Sequence, residues 1–231
     1  MTSKLSIIIA IFSLFIFISC QKNEKKTEST DINIETKIIK ETVTDPNNNI
    51  FQIDAQIPTI EGLDLGFEEL ITKWKAYNET EFLKTRETKK YNYEPFYYAD
   101  FEIFKNSALK ITSILYSQYL INKYDANGLT TYHPINLRGK EKIKLSDIIS
   151  KDQLDSLMQV LKEQVKTEFI KFTINSKDNP EFEKEFEEIF RQYKYYFKNN
   201  KVVIFYDPLV IRARAEGKTE FTFPIDQNTE N

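Results

Sequence analysis

LKITSILYSQYLINKYDANGLTTYHPINL (residues 109–137) decides how this chain of 231 residues folds. Leu109 to Leu120 is rich in β-branched and aromatic residues, which suit a pleated, half-buried surface. Asp125-Ala126-Asn127-Gly128 then supplies an Asn-Gly turn, the strongest short hairpin signal. Thr130 to Leu137 reads as the returning strand. The stretch therefore predicts antiparallel pairing in the middle of the chain.

Working outward, Arg138-Gly139-Lys140 is another turn, and Ile143 and Leu145 open a short segment ending at Ile148-Ile149. Upstream, Phe101, Ile103 and Lys105 alternate with Glu102, Phe104 and Asn106, as in a strand. They close an aromatic cluster from Tyr91 to Phe104, read as core packing, with a saccharide or protein platform as the alternative. Ile50, Phe51, Ile53 and Ile57 suggest another strand, closed by Pro58 and Gly62. Phe67, Leu70, Ile71 and Trp74 fall at helical spacing, with Tyr77 one turn on, so a helix is expected over about Leu63–Thr85, with Trp74 as a core anchor.

Downstream, Ser150 caps an expected helix over Lys151–Phe172, with apolar residues at steps of three and four. Asn179-Pro180 opens a further helix, broken at Asn199-Asn200. Val202–Tyr206, Leu209–Ile211 and Phe221–Pro224 read as strands, parted by Asp207-Pro208 and Glu216-Gly217. Strands and helices without strict alternation predict the α+β class: an antiparallel sheet with helices packed mainly on one face of a single core.

Ser6 to Cys20, SIIIAIFSLFIFISC, follows Lys4 and carries no charge. A positive start, a short apolar run and a small residue at Ser19 predict a secretory signal peptide over residues 1–19. The placement of Cys20 resembles a lipobox, the processing signal of bacterial lipoproteins. That resemblance implies that Cys20 becomes the first mature residue and is acylated on sulfur and amine, anchoring the protein to a membrane. Gln21 rather than Asp follows it, which implies the outer membrane in a host with two. Residues 20–49 are rich in Lys, Glu, Thr and Asn and read as a disordered tether, with a short strand around Ile32–Ile39 as the alternative. A single α+β domain is expected over 50–225, then a polar tail over 226–231, the whole a monomer.

The formal net charge is −3, and loss of Lys4 with the signal peptide makes it one unit more negative. That argues against nucleic acid as a partner. One cysteine allows no internal disulfide, so the fold rests on a core with 18 Phe, 13 Tyr and one Trp to draw on. Five glycines, with no G-x-x-x-x-G-K-[ST] and no G-x-G-x-x-G, leave no phosphate-cradling loop. His133 alone cannot supply a metal cluster, and no cofactor is expected. No G-x-S-x-G elbow accompanies it. The carboxylates around Glu183–Glu188 alternate with Lys184 and neighbour Arg191, as on a solvated helix face.

Two passages carry a family resemblance. From Ser113 to Ile149 come a strand, the Asp125–Gly128 turn, Tyr132, Asn136-Leu137, Gly139-Lys140 and Leu145-Ser146-Asp147 in order. Later, Val202–Pro208 leads through Ala215-Glu216-Gly217 to Phe223-Pro224. Together they resemble the envelope domain of lysozyme-sensing anti-sigma factors. That domain is similar to one accompanying some peptidoglycan deacetylases and to many lipoproteins of unknown function. Phe51 to Trp74 resembles the family's first strand and helix.

The resemblance implies the fold more strongly than it implies lysozyme binding. A lipid-anchored envelope binding module without enzymatic activity is expected, with a cell-wall hydrolase or deacetylase-associated enzyme as the alternative. The candidate ligand-binding residues are Tyr124, Asn127, Arg212 and Arg214. Asn127 offers an amide, and the arginines, two apart in an expected strand, share a face and offer charge-assisted donors, with Arg138 and Lys140 as further cations. Two arginines would repel lysozyme, a basic protein, so peptidoglycan or another envelope ligand ranks above it.

Overall fold

The structure, a computed structural model, describes residues 32–44, 50–88, 93–173 and 181–225, with side chains omitted over 82–88. Strands β1 (Glu35–Thr44), β2 (Ile50–Thr59), β3 (Pro95–Asn106), β4 (Ile111–Asn122), β5 (Leu129–Arg138) and β6 (Glu141–Lys142) form a six-stranded sheet in that order. Helix α1 (Phe67–Thr88) joins β2 to β3, and that pair alone in the sheet is parallel, since a helical crossover returns the chain in the same direction. Helices α2 (Lys151–Phe172) and α3 (Phe182–Phe190) precede a separate antiparallel sheet of β7 (Lys194–Lys198), β8 (Lys201–Tyr206) and β9 (Thr219–Pro224). The α+β class holds, and each sheet carries its helices on a single face.

Alternation explains the large sheet. Phe51, Ile53, Ala55 and Ile57 of β2 are buried against Phe67, Ile71 and Trp74 of α1. Phe67 stacks on Tyr116 of β4 at 4.3 Å, and Trp74 meets Phe51 and Tyr97 edge-on at 6.0 and 5.3 Å. Burying such rings removes much apolar area from water, and their edge-on geometry adds to it. The second helical layer starts from a capping box: Ser150 Oγ accepts from the Gln153 amide, and Gln153 Oε1 accepts from the Ser150 amide. Leu161, Val165 and Phe169 of α2, with Phe182 and Phe186 of α3, then bury one face of β8.

The expected single core is therefore two clusters, one beneath each helical layer. A third, smaller group of Leu115, Tyr196, Val203 and Phe205 packs one sheet on the other. Val202 to Tyr206 is apolar throughout because β8 is covered on both faces.

Polar groups also join the sheets. Ser113 Oγ of β4 donates to Asn136 Oδ1 of β5 at 2.6 Å and accepts from the Phe197 amide of β7 at 2.9 Å. Asn136 Nδ2 donates to the Tyr195 carbonyl at 3.1 Å. Beside them, Lys194 pairs with Asp207 and donates to the Tyr132 carbonyl, while the Tyr132 amide donates to Asp207.

Three expectations are corrected. The segment 20–49 is not all tether: residues 35–44 form β1, paired along its length with β2. Its Lys37 and Glu41 bond Glu68 and Lys75 of α1 at 2.8 and 2.7 Å. The helix after Pro180 ends at Phe190, and KYYFK is β7, so Asn199-Asn200 turns a hairpin rather than ending a helix. Leu209–Ile211 is not a strand; Leu209 has φ +73° and the segment is a turn. Residues 1–31 and 226–231, with the expected signal peptide, Cys20 and the polar tail, lie outside the described residues.

A chain cut to begin at Asn49 loses β1, with Ile39 and Val43, which pack on the first core. Two half-buried aliphatic side chains correspond to about 2–3 kcal/mol. Urea unfolding is expected to show a loss of at least that size, while a chain beginning at Ile32 matches the whole protein. Equal midpoints for both cuts would return residues 35–44 to the tether.

Candidate binding cleft

The buried stripe of α1 runs Phe67, Ile71, Trp74 and then meets a polar residue in phase, Asn78, only 1% exposed. Asn78 is satisfied locally. Its Nδ2 donates to the Trp74 carbonyl, and its Oδ1 accepts from the Tyr93 hydroxyl, both at 2.6 Å. Where the stripe turns polar, Asn78 lines a cleft of about 290 Å³. Trp74, Tyr77 and Tyr93 supply its aromatic wall, and Asp125, Asn127 and Arg214 its polar one. Burial pushes the Tyr93 hydroxyl up to about 12, with Tyr77, Glu81 and Asp125 adding to it, so it stays protonated.

The β4–β5 connection shapes the far side. It is longer than a two-residue hairpin, running from Asn122 to Leu129. Gly128 lies so close to β4 that a Cβ there would fall 2.4 Å from the Leu120 carbonyl oxygen and 2.5 Å from the Tyr119 ring. The Gly128 amide donates to the Tyr119 hydroxyl at 3.0 Å, which ties the loop down. Glycine is needed for close approach.

Of the candidate residues, the structure brings Asn127 and Arg214 together: an Arg214 guanidinium N–H donates to the Asn127 carbonyl at 3.2 Å. Tyr124 is turned away, its hydroxyl donating to Glu94 Oε1 at 2.9 Å. Lys123 and Tyr124 together hold the Glu94 carboxyl below its usual range. Arg212 points to α2 and pairs with Glu168 Oε2 at 3.0 Å. The two arginines share no strand face, because Arg214 starts a short helical turn, Arg214–Glu216, in the loop before β9. Trp74, Tyr77 and Asn78 went unassigned to a site in the sequence, whereas Tyr93 and Asp125 entered it only within the Tyr91–Phe104 cluster and the Asp125–Gly128 turn. An asparagine in phase with a buried apolar stripe was the signal that could have found them.

The remaining candidates are structural. Glu183 and Glu187 of α3 pair with Lys166 and Lys162 of α2. Among the described residues, no group of three or more His, Cys, Asp or Glu could hold a metal ion. A hollow of about 420 Å³ between α2 and β9 is lined by Ile149, Leu157, Val160, Phe223 and Ile225, with Asp152, Gln153 and Ser156 of the first turns of α2 as its polar groups.

His133 lies in β5 with its ring 6.3 Å from that of Tyr116. Its Nε2 is buried without a hydrogen-bond partner among the described residues. Burial, then the nearby Lys194 charge, lowers its pKa from 6.5. A depressed folded pKa means that the unfolded chain takes up the proton first. The stability contribution is whole above 6.5 and is lost as pH falls from there through the folded value. Urea midpoints at about pH 7.5 and 5.5 are expected to fall with acid, and His133→Gln to flatten that slope. An unchanged slope would place His133 outside the titration.

Residues 146–226 match the model of a family described as a protein of unknown function, DUF3298. No curated protein matches the chain. The matched span holds α2, α3, the three-stranded sheet and both arginines; the aromatic wall of the cleft lies before it.

Proposed function

We propose that this protein is a lipid-anchored module of the cell envelope that binds a saccharide, peptidoglycan foremost, without transforming it. The carrying observation is the make-up of the cleft. Tyr77, 61% exposed, and half-buried Tyr93 line it with Asp125, Asn127 and Arg214, while Trp74 beside them is buried. Aromatic faces take the C–H faces of a pyranose ring, and a few convergent polar groups orient its hydroxyls and amides. Nothing in that set pairs a nucleophile with a base, and the hydroxyl of Tyr93 is held protonated. The anchor rests on the apolar run that ends at Ser19-Cys20. Acyl chains at Cys20 would hold the domain within reach of the wall.

Incubation with insoluble peptidoglycan tests this reading. The purified protein is expected to pellet with it and to release no soluble fragments, and Tyr77→Ala to weaken pelleting about tenfold, the scale of losing one aromatic anchor. Released fragments would replace the binding reading with a hydrolytic one. A protein that stays in the supernatant would end it. Carbonate washing of membranes checks the anchor in the same protein: Cys20→Ala is expected to wash off.

A further inference from the structure

Arg212 and Arg214 are two residues apart yet differ electrostatically. Arg212 is paired with Glu168, a carboxylate it shares with Lys171. Arg214 donates to a backbone carbonyl, that of Asn127, and has no ion-pair partner among the described residues. A carbonyl orients a guanidinium without cancelling its charge. The planar fork has five N–H donors, so most remain for a ligand. This cation lines the cleft together with Tyr77.

Asp125 stands in the same wall. Its amide donates to the Asn122 carbonyl, but its carboxylate makes no hydrogen bond or ion pair among the described residues. It is an acceptor suited to the hydroxyl or amide N–H groups of a sugar. Around one aromatic surface the cleft thus offers a receiver for an anion and an acceptor for neutral donors.

We infer that the ligand is a saccharide bearing a carboxylate, which Arg214 receives through paired N–H donors; this rests on the saccharide reading above. Charge-assisted pairs of this kind are the stronger hydrogen bonds, and the fork geometry selects a planar carboxylate. A neutral glycan would fill the aromatic wall and leave the guanidinium to water.

Calorimetry with two probes of equal length tests the inference on the purified protein. One probe is a neutral tetramer of β-linked N-acetylglucosamine. The other alternates that sugar with N-acetylmuramic acid, whose carboxylates are free. The charged probe is expected to bind at least about tenfold more tightly, an advantage that shrinks as salt is added. Arg214→Gln is expected to remove the advantage and leave the neutral affinity in place. Arg214→Lys should keep part of it, since the charge stays and the fork is lost. Tyr77→Ala should weaken both probes alike. Equal binding of the two probes by the unaltered protein would overturn the inference and leave the saccharide reading standing. So would an equal loss for both in Arg214→Gln, which would make Arg214 a strut between two loops. Binding of neither probe would overturn both.

Discussion

The outer edge of β7 is the constraint on which the rest depends. In the three-stranded sheet β7 pairs with β8 on one side only. Its other edge is not open to water but lies against β4 and β5. Buried backbone N–H and C=O groups must find partners, and no strand ladder runs along that edge to provide them. Ser113 and Asn136, 0% and 6% exposed, stand in for the missing strand. The serine takes the Phe197 amide, the asparagine serves the Tyr195 carbonyl, and the two bond each other. Within this set each donor has an acceptor, the condition under which a buried polar network stabilises rather than weakens a core. Ser113 and Asn136 are also register partners in the β4–β5 ladder. A slip of one residue between the strands would turn one of the two side chains to the wrong face and leave a group of β7 unsatisfied.

Docking β7 there settles what surrounds the cleft. With β7 in place, Lys194 reaches Asp207 and the Tyr132 carbonyl, which roots the start of the loop between β8 and β9 on β5. Arg212 then ties the loop to α2 through Glu168, and Arg214 ties it to the β4–β5 connection through Asn127. The aromatic wall belongs to α1 and the start of β3; the arginine arrives from the far end of the chain. The cleft is thus assembled from both halves of the molecule, and Arg214 reaches it through a loop held in place by the contact between the two sheets.

Much of the fold was legible because it is written in short periods. The alternation in β2, the β-rich run of β4, the capped helix α2 and the doubly covered β8 each announce themselves locally. β1 showed only as a short alternative strand around Ile32–Ile39, because an edge strand is protected by charge: ETKIIKETVT half-buries Ile39, Glu41 and Val43 and exposes Lys37 and Lys40. Its composition is that of a tether. β7 was hidden by the aromatic stripe of α3, which runs on through Tyr193 at helical spacing before KYYFK departs from it. Leu209–Ile211 was read as a strand from β-branched content alone, whereas Asp207-Pro208 and the positive φ of Leu209 make a turn. The site was half legible. Asn127 and Arg214 sit where a turn and an exposed cation predict, but Tyr124 and Arg212 were drawn away by Glu94 and Glu168, carboxylates distant in sequence. Such pairings carry no local period.

Unfolding followed by two probes tests most directly whether the Ser113–Asn136 network makes one unit of the two sheets. Trp74, the only tryptophan, reports the core under α1. Far-ultraviolet circular dichroism is weighted toward α2 and α3, which hold more helical residues than α1. In urea the two signals are expected to change together. In the Ser113→Ala, Asn136→Ala double variant, two backbone groups of β7 lose their partners, each costing about 1–3 kcal/mol. The two transitions should then separate, with the circular dichroism change coming first. Separate transitions in the unaltered protein, or a single transition with an unchanged midpoint in the variant, would contradict the account.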